Sequence, residues 1–236
     1  MKSFKALVAL FILSFGSNSS AGEYELIMGK GVEVCEACKK NFDTFFAPKD
    51  SYRNSMKCGR EFDPTFRDLQ GVRWTKVELK ANLDLLKKVV NVIDHRDQFQ
   101  PPFDVGLFRD LEQGKKVPSI ELYESQVDID NDGVIDTLVR YVEDVCDMGG
   151  VYEQPIVVLN AEKTAVDMER TQLILQKYLT SDWAYQVFGV FLYKGQTYFD
   201  QWNGRADNLF IYRISKKTTE KLCEFRFRIK KAPKSK

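Results

Sequence analysis

The last fifty residues of the chain carry the pattern that most restricts its fold. Two aromatic-rich runs, 185–193 and 196–202, are separated by Lys194-Gly195, which is typical of a two-residue hairpin loop. A third run follows at 209–215, and apolar and charged residues alternate strictly in the final run. The apolar positions are Cys223, Phe225, Phe227 and Ile229, and the charged positions are Glu224, Arg226 and Arg228. This alternation predicts an antiparallel meander that is buried on one face.

Helices are predicted mainly in the first half of the chain. Apolar residues spaced by three and four positions predict a helix over 75–94, and shorter helices are predicted at 34–46 and 103–112. Further elements are predicted as strands at 117–125, 137–142 and 155–159, and as a helix at 166–179. We therefore predict a single α+β domain over residues 22–231, with a helical N-terminal half packed on a mainly antiparallel β-sheet that ends in the C-terminal meander.

Residues 1–21 have the composition of a signal peptide. A short positively charged region precedes an apolar run of ten residues at 6–15, and small residues follow it. The run is too short to span a bilayer, which needs about 20 apolar residues, and no later segment reaches that length. We predict cleavage before Gly22, a periplasmic or secreted protein with no transmembrane anchor after cleavage, and a basic flexible tail at 232–236.

The charges of the chain are balanced. It has 35 Lys and Arg residues against 34 Asp and Glu residues, and the predicted leader contains two of the lysines. A nearly neutral protein has no net field that would attract nucleic acid. We therefore predict no nucleic-acid partner, and we expect an unidentified protein or an envelope ligand as the partner instead.

The chain contains five cysteines, all beyond the predicted leader: Cys35, Cys38, Cys58, Cys146 and Cys223. In an oxidising compartment most of them should be paired, and the odd number leaves one over. We favour a bond between Cys35 and Cys58, because both lie in the same short N-terminal segment, which leaves Cys146 for Cys223. Cys38 then stays free or replaces Cys35, since sequence alone does not choose among the fifteen arrangements of two bonds.

An aspartate-rich segment near the middle of the chain is the strongest candidate site. It contains Asp128, Asp130, Asp132 and Asp136, with Gly133 between the last two. Four carboxylates this close together repel one another unless a hard cation neutralises them. Ca²⁺ takes roughly six to eight oxygen ligands and suits such a group.

The segment departs from the EF-hand, which carries Glu at the twelfth position, because Val139 stands there and both flanks are predicted strands. It resembles the D-x-D-x-D-G-x-x-D calcium loops of integrin-type propeller repeats and similar extracellular modules. The resemblance implies that the four aspartates bind Ca²⁺ together with the main-chain carbonyl of Val134. It covers nine residues, so it implies a structural calcium site and not a propeller. A metal-free turn is the alternative, because Asp, Asn and Gly also favour turns.

Cys35-Glu-Ala-Cys38 is a second candidate site. A C-x-x-C at the start of a helix can act as a redox dithiol, because the helix N-terminus lowers the pKa of the first thiol. Together with Val117-Pro118 at the start of a predicted strand, it resembles the thioredoxin-like exported oxidoreductases. That resemblance implies an exported thiol–disulfide oxidoreductase that uses Cys35 and Cys38.

Two pairs of longer stretches also stand out: VCEACKKNFDTF with MKCGREFDP, and VDIDNDGVIDTLVRYV with LYKGQTYFDQW. They resemble an uncharacterised family of exported bacterial proteins, which implies a bond between Cys35 and Cys58 but supplies no activity. We predict an exported, disulfide-stabilised, calcium-binding protein with a binding or structural role rather than a catalytic one. The oxidoreductase is the alternative.

Overall fold

A computed structural model of the chain describes residues 22–46, 62–96, 109–110, 113, 120–143, 155–175, 186–203 and 208–229. These residues form ten strands in two antiparallel sheets, three α-helices and one short π-helical turn. The predicted signal peptide at 1–21 and the predicted tail at 232–236 lie outside the described residues.

The first sheet has six strands: β1 (Gly22–Met28), β2 (Leu69–Gly71), β7 (Gln186–Tyr193), β8 (Gln196–Asn203), β9 (Asn208–Ser215) and β10 (Thr218–Ile229). Its strand order is β1-β10-β9-β8-β7-β2. The second sheet has four strands in chain order: β3 (Thr75–Val77), β4 (Ile120–Val127), β5 (Asp136–Glu143) and β6 (Ile156–Val158). The helices are α1 (Glu33–Asn41), which the π-helical turn Phe42–Phe46 continues, α2 (Leu83–Arg96) and α3 (Met168–Leu175).

The C-terminal meander is confirmed. Strands β7, β8, β9 and β10 are successive neighbours in the first sheet, and β7 and β8 meet at the Lys194–Gly195 turn. In β10, Cys223 and Phe225 are fully buried, whereas Arg226 and Arg228 are exposed. The alternation of apolar and charged residues in the sequence therefore predicted the buried face of this strand correctly.

The prediction of a helical N-terminal half is wrong, because the fold is mainly β. The first described residues form β1, which pairs with β10 at the other end of the chain. The helix predicted over 75–94 begins only at Leu83, because Thr75–Val77 pairs with β4 as strand β3. Both strands depend on partners that are remote in sequence, and a local periodicity contains no information about such partners.

Three apolar clusters separate four layers in the order α1, first sheet, second sheet, α2. The first cluster joins α1 to one face of the first sheet, the second lies between the two sheets, and the third joins the second sheet to α2. Neighbouring residues of β8, Tyr198 and Phe199, belong to clusters on opposite sides of the sheet. The first sheet is therefore buried on both faces, and each fully buried aromatic side chain contributes roughly 1.5–3 kcal/mol.

Candidate metal centre

The aspartate-rich segment is the hairpin loop between β4 and β5. Val127 pairs with Asp136 at the end of the ladder, so residues 128–135 form the loop and Asp136 begins β5. Asn131 and Gly133 have positive φ angles of 59° and 91°. Glycine and asparagine adopt this left-handed conformation most readily, which explains both residue types in the bend. Strands flank the loop on both sides, as the sequence predicted.

Three of the aspartates converge. Asp128, Asp130 and Asp136 each offer a carboxylate oxygen, and these three oxygens lie within 4.8 Å of one another. Two oxygens on opposite sides of a Ca²⁺ ion are about 4.8 Å apart, since each Ca–O bond is about 2.4 Å long. The spacing of the three oxygens therefore allows all of them to bind one ion, and the group can hold a metal.

The other two predicted ligands, Asp132 and Val134, are not members of this group. The Val134 N–H donates a hydrogen bond of 2.8 Å to Oδ1 of Asp132. The Val134 residue is 60% exposed to solvent. Nothing in this arrangement tests whether they bind an ion, so their role as ligands stays a prediction.

Main-chain hydrogen bonds hold the carboxylate of Asp128 in place. The Asp132 N–H donates to its Oδ1 at 3.1 Å, and the Gly133 N–H donates to its Oδ2 at 2.8 Å. The loop thus folds back onto its own first aspartate. A carboxylate oxygen that accepts one such bond still has a free lone pair, so both oxygens of Asp128 can also face a cation.

The carboxylate of Asp136 is bound from outside the loop by Arg170 of α3. The two terminal nitrogens of Arg170 donate to both oxygens of Asp136, with Nη2 at 2.7 Å from Oδ2. The Ile129 N–H also donates to Oδ2, at 3.2 Å. Sequence reasoning missed Arg170, because it lies 34 residues from Asp136 and no motif connects the two.

The carboxylate of Asp130 is not paired with an arginine in the way that Asp136 is. Its Oδ1 is buried and has no hydrogen-bond partner, and Nη2 of Arg170 lies 3.9 Å away from it. Burial raises the pKa of Asp130, the negative charge of Asp132 raises it further, and Arg170 opposes the rise. A negative charge on a buried carboxylate oxygen that accepts no hydrogen bond is unfavourable unless a cation binds there. The three donors are hard carboxylate oxygens, which suit a hard cation.

Asn131 ties the loop to the first sheet. The Thr197 N–H of β8 donates to Oδ1 of Asn131 at 2.7 Å, and Nδ2 of Asn131 donates to the Thr197 carbonyl at 3.4 Å. The side-chain amide of Asn131 thus bonds to the backbone N–H and C=O of Thr197, as the backbone of a neighbouring strand would. The loop is therefore connected to both sheets, and the sequence offered no signal for this contact because Thr197 is 66 residues away.

The structure corrects the predicted disulfides. Cys35 of α1 is bonded to Cys223 of β10, with their Cα atoms 5.7 Å apart, so neither can form the bonds predicted with Cys58 and Cys146. Cys58 and Cys146 themselves lie outside the described residues. The bond joins residues 188 positions apart, because β1 and β10 bring the two ends of the chain together below α1.

The geometry does not support a Cys35–Cys38 dithiol. Cys38 is free and buried in the cluster beneath α1, and burial raises the pKa of its thiol. A nucleophilic cysteine needs a lowered pKa and access to solvent, and Cys38 has neither. Cys35 is occupied by Cys223. Val117-Pro118, the second part of the oxidoreductase resemblance, lies outside the described residues.

No family model, curated protein or solved structure matches this chain. The resemblance to exported bacterial proteins therefore stays a prediction. Among the described residues, no helix is both long and apolar enough to cross a membrane.

Proposed function

We propose that the protein binds calcium through the loop between β4 and β5, and that the ion has a structural role in an exported, disulfide-stabilised protein. Asp128, Asp130 and Asp136 would hold the ion. We further propose that the protein acts by binding another protein or an envelope ligand. No observation favours a catalytic alternative.

The convergence of three carboxylates around the unpartnered oxygen of Asp130 carries this proposal. The three side chains contribute three negative charges, and Arg170 compensates one of them. Two negative charges remain in a partly buried place, which a single divalent cation would balance. Charges of one sign at this separation repel strongly where water is largely excluded, so the ion would stabilise the folded state.

The contacts of the loop support a structural role for the ion. Through Asp136 and Arg170 the site is connected to α3, and through Asn131 it is connected to β8. Calcium would therefore strengthen a junction between the two sheets and a helix. The carboxylates of Asp128 and Asp136 accept hydrogen bonds that orient them as ligands.

Thermal unfolding in EGTA and in millimolar calcium tests the proposal. Calcium loops of extracellular modules have dissociation constants on the order of 10⁻⁴–10⁻³ M. With a dissociation constant of about 0.3 mM, about 10 mM calcium stabilises the folded state by about 2 kcal/mol. For a chain of this size we expect a rise of roughly 4–8 °C in the melting temperature.

Two variants make the test specific. Asp130→Asn should reduce the rise, because it removes the negative charge of the ligand whose Oδ1 has no hydrogen-bond donor. Asp84 is exposed in the first turn of α2, outside the loop, so Asp84→Asn removes the same charge and should leave the rise intact. An unchanged melting temperature in the wild-type protein, or an equal rise in Asp130→Asn, would contradict calcium binding at this loop.

N-terminal sequencing of the protein recovered from cell fractions tests export separately. We expect the mature chain in the periplasmic or culture fraction, beginning at Gly22. A cytoplasmic protein that retains residues 1–21 would contradict export and leave the calcium proposal untouched.

A further inference from the structure

Arg140, in the middle of β5, is a cation that no carboxylate among the described residues pairs with. Its Nε is buried and has no hydrogen-bond partner, and no described acidic residue forms an ion pair with it. Four other arginines on strands and helices do pair with carboxylates: Arg170, Arg213, Arg226 and Arg228. Nε of Arg213 is also buried without a hydrogen-bond partner, but the charge of Arg213 is paired. Burying a cation that no carboxylate pairs with is unfavourable, so Arg140 needs an explanation.

The side chain of Arg140 is held on an aromatic ring. Its guanidinium carbon lies 4.0 Å from the centre of the Trp74 ring, which is a close cation–π contact. Burial lowers the pKa of Arg140 to about 10, which leaves it protonated at neutral pH. The contact orients the guanidinium plane but does not neutralise its charge, and the residue remains partly exposed to solvent.

A second polar group without a partner lies on the neighbouring strand. Arg140 is paired across the ladder with Tyr123, and Leu138 with Ser125, so Ser125 is a diagonal neighbour of Arg140. Alternate residues of a strand share one face, which places both side chains on the same side of the sheet. Ser125 is buried, and its Oγ has no hydrogen-bond partner. An arginine and a serine hydroxyl can both donate, and both have donors to spare.

We propose that Arg140, supported by Trp74 and assisted by Ser125, is the centre of a binding site for an oxyanion, the carboxylate or phosphate group of a small ligand. The planar guanidinium donates two parallel hydrogen bonds to such a group, and the bound anion supplies the charge that the described residues lack. The site is distinct from the calcium loop, since four residue steps of β5, about 13 Å of strand, separate Arg140 from Asp136, the last proposed calcium ligand. It does not depend on calcium binding.

Thermal unfolding of the whole protein with increasing sodium phosphate, or with increasing sodium acetate, tests the inference. Sodium chloride keeps the ionic strength constant, and EDTA removes metals so that the aspartate loop does not contribute. We expect the melting temperature of the wild-type protein to rise and saturate with one of the anions. A response to phosphate alone identifies a phosphate ligand, and a response to acetate identifies a carboxylate. A rise that never saturates, or no rise with either anion, overturns the proposal.

Variants assign the response to the site. Arg140→Met should weaken binding by at least about tenfold, because it removes the charge and keeps the length of the side chain. Arg213→Met is the matched control, since Arg213 lies on β9 and pairs with Glu220 at 2.8 Å, and it should keep the wild-type response. Equal responses in Arg140→Met and the wild-type protein overturn the proposal.

Tryptophan fluorescence provides a readout if Arg140→Met does not fold. The anion should change the emission of wild-type protein in a saturable way, because the charge that it neutralises lies on the Trp74 ring. Trp74→Phe keeps an aromatic ring below Arg140 and should lose that signal while it still shows the thermal response. A signal of unchanged size in Trp74→Phe contradicts binding at Arg140.

Discussion

The bond between Cys35 and Cys223 allows a quantitative test of how the fold is stabilised. Both half-cystines are fully buried, and the bond joins α1 to the strand β10 that pairs with β1. Replacing both residues by alanine removes the cross-link and leaves a small buried void. Without the cross-link the unfolded chain has more conformational entropy, which stabilises the unfolded state relative to the folded state.

The length of the closed loop sets the magnitude. For a separation of 188 residues, the chain-entropy relation gives about 5 kcal/mol at 25 °C. Proteins of this kind unfold with a free energy of about 5–15 kcal/mol, so the double variant should be marginally stable. We expect its urea midpoint to fall sharply and its transition to steepen, because the unlinked chain exposes more surface on unfolding.

The assay is urea unfolding followed by tryptophan fluorescence, in the wild-type protein, in Cys35→Ala/Cys223→Ala and in Cys38→Ala. The last variant is the matched control, because Cys38 is equally buried in the same cluster but forms no bond. It should lose only about 1 kcal/mol, the cost of a small cavity. Reducing the wild-type protein should reproduce the larger loss without any substitution.

Two results would refute the reasoning. The first is a loss in the double variant no greater than twice that of the Cys38→Ala control, which would mean that the cross-link contributes little beyond side-chain volume. The second is a peptide map of the unreduced protein in which Cys35 is linked to Cys58. Such a bond would close a much shorter loop and would contradict the observed pairing.

Three further predictions follow from the described residues. Gly29→Ala should destabilise the fold by about 3 kcal/mol or more in the same urea assay, because φ is +96° there and the new Cβ would lie 2.7 Å from Sγ of Cys35. The control is Gly31→Ala, which should cost only about 1 kcal/mol, because φ is +82° but no atom lies within 4 Å of the new Cβ. Equal losses would show that the close approach at Gly29 is unimportant. Arg170→Met should destabilise the protein in EGTA by about 2–4 kcal/mol, since it leaves the buried Asp136 without its ion-pair partner. Calcium should restore part of that loss. An equal loss with and without calcium would contradict a shared site. The pKa of Asp130 is raised above its ordinary value of 3.8, so the folded state binds that proton more tightly than the unfolded state does. In EGTA, the stabilisation from this proton should be complete below about pH 4 and be lost as the pH rises through the raised pKa. The urea midpoint of Asp130→Asn should not show this loss.

Local patterns in the sequence predicted the C-terminal meander and the strands on both sides of the aspartate loop. Strict alternation in the last run reports which side chains of β10 are buried, because a strand places successive residues on opposite faces. The same kind of reasoning failed for β1 and β3. A short strand forms where a partner strand is available, and β1 has its partner about two hundred residues further along the chain.

The candidate site divides in the same way. The sequence by itself determined that aspartates recur in one loop, because ligand spacing within nine residues is a local property. Only the tertiary structure decided that Oδ1 of Asp130 lacks a hydrogen-bond donor, that Arg170 compensates Asp136 and that Cys35 is bonded to Cys223. Each of these facts depends on a distance between residues far apart in the chain. Such distances are set when the two sheets pack together, and a local sequence pattern does not encode them.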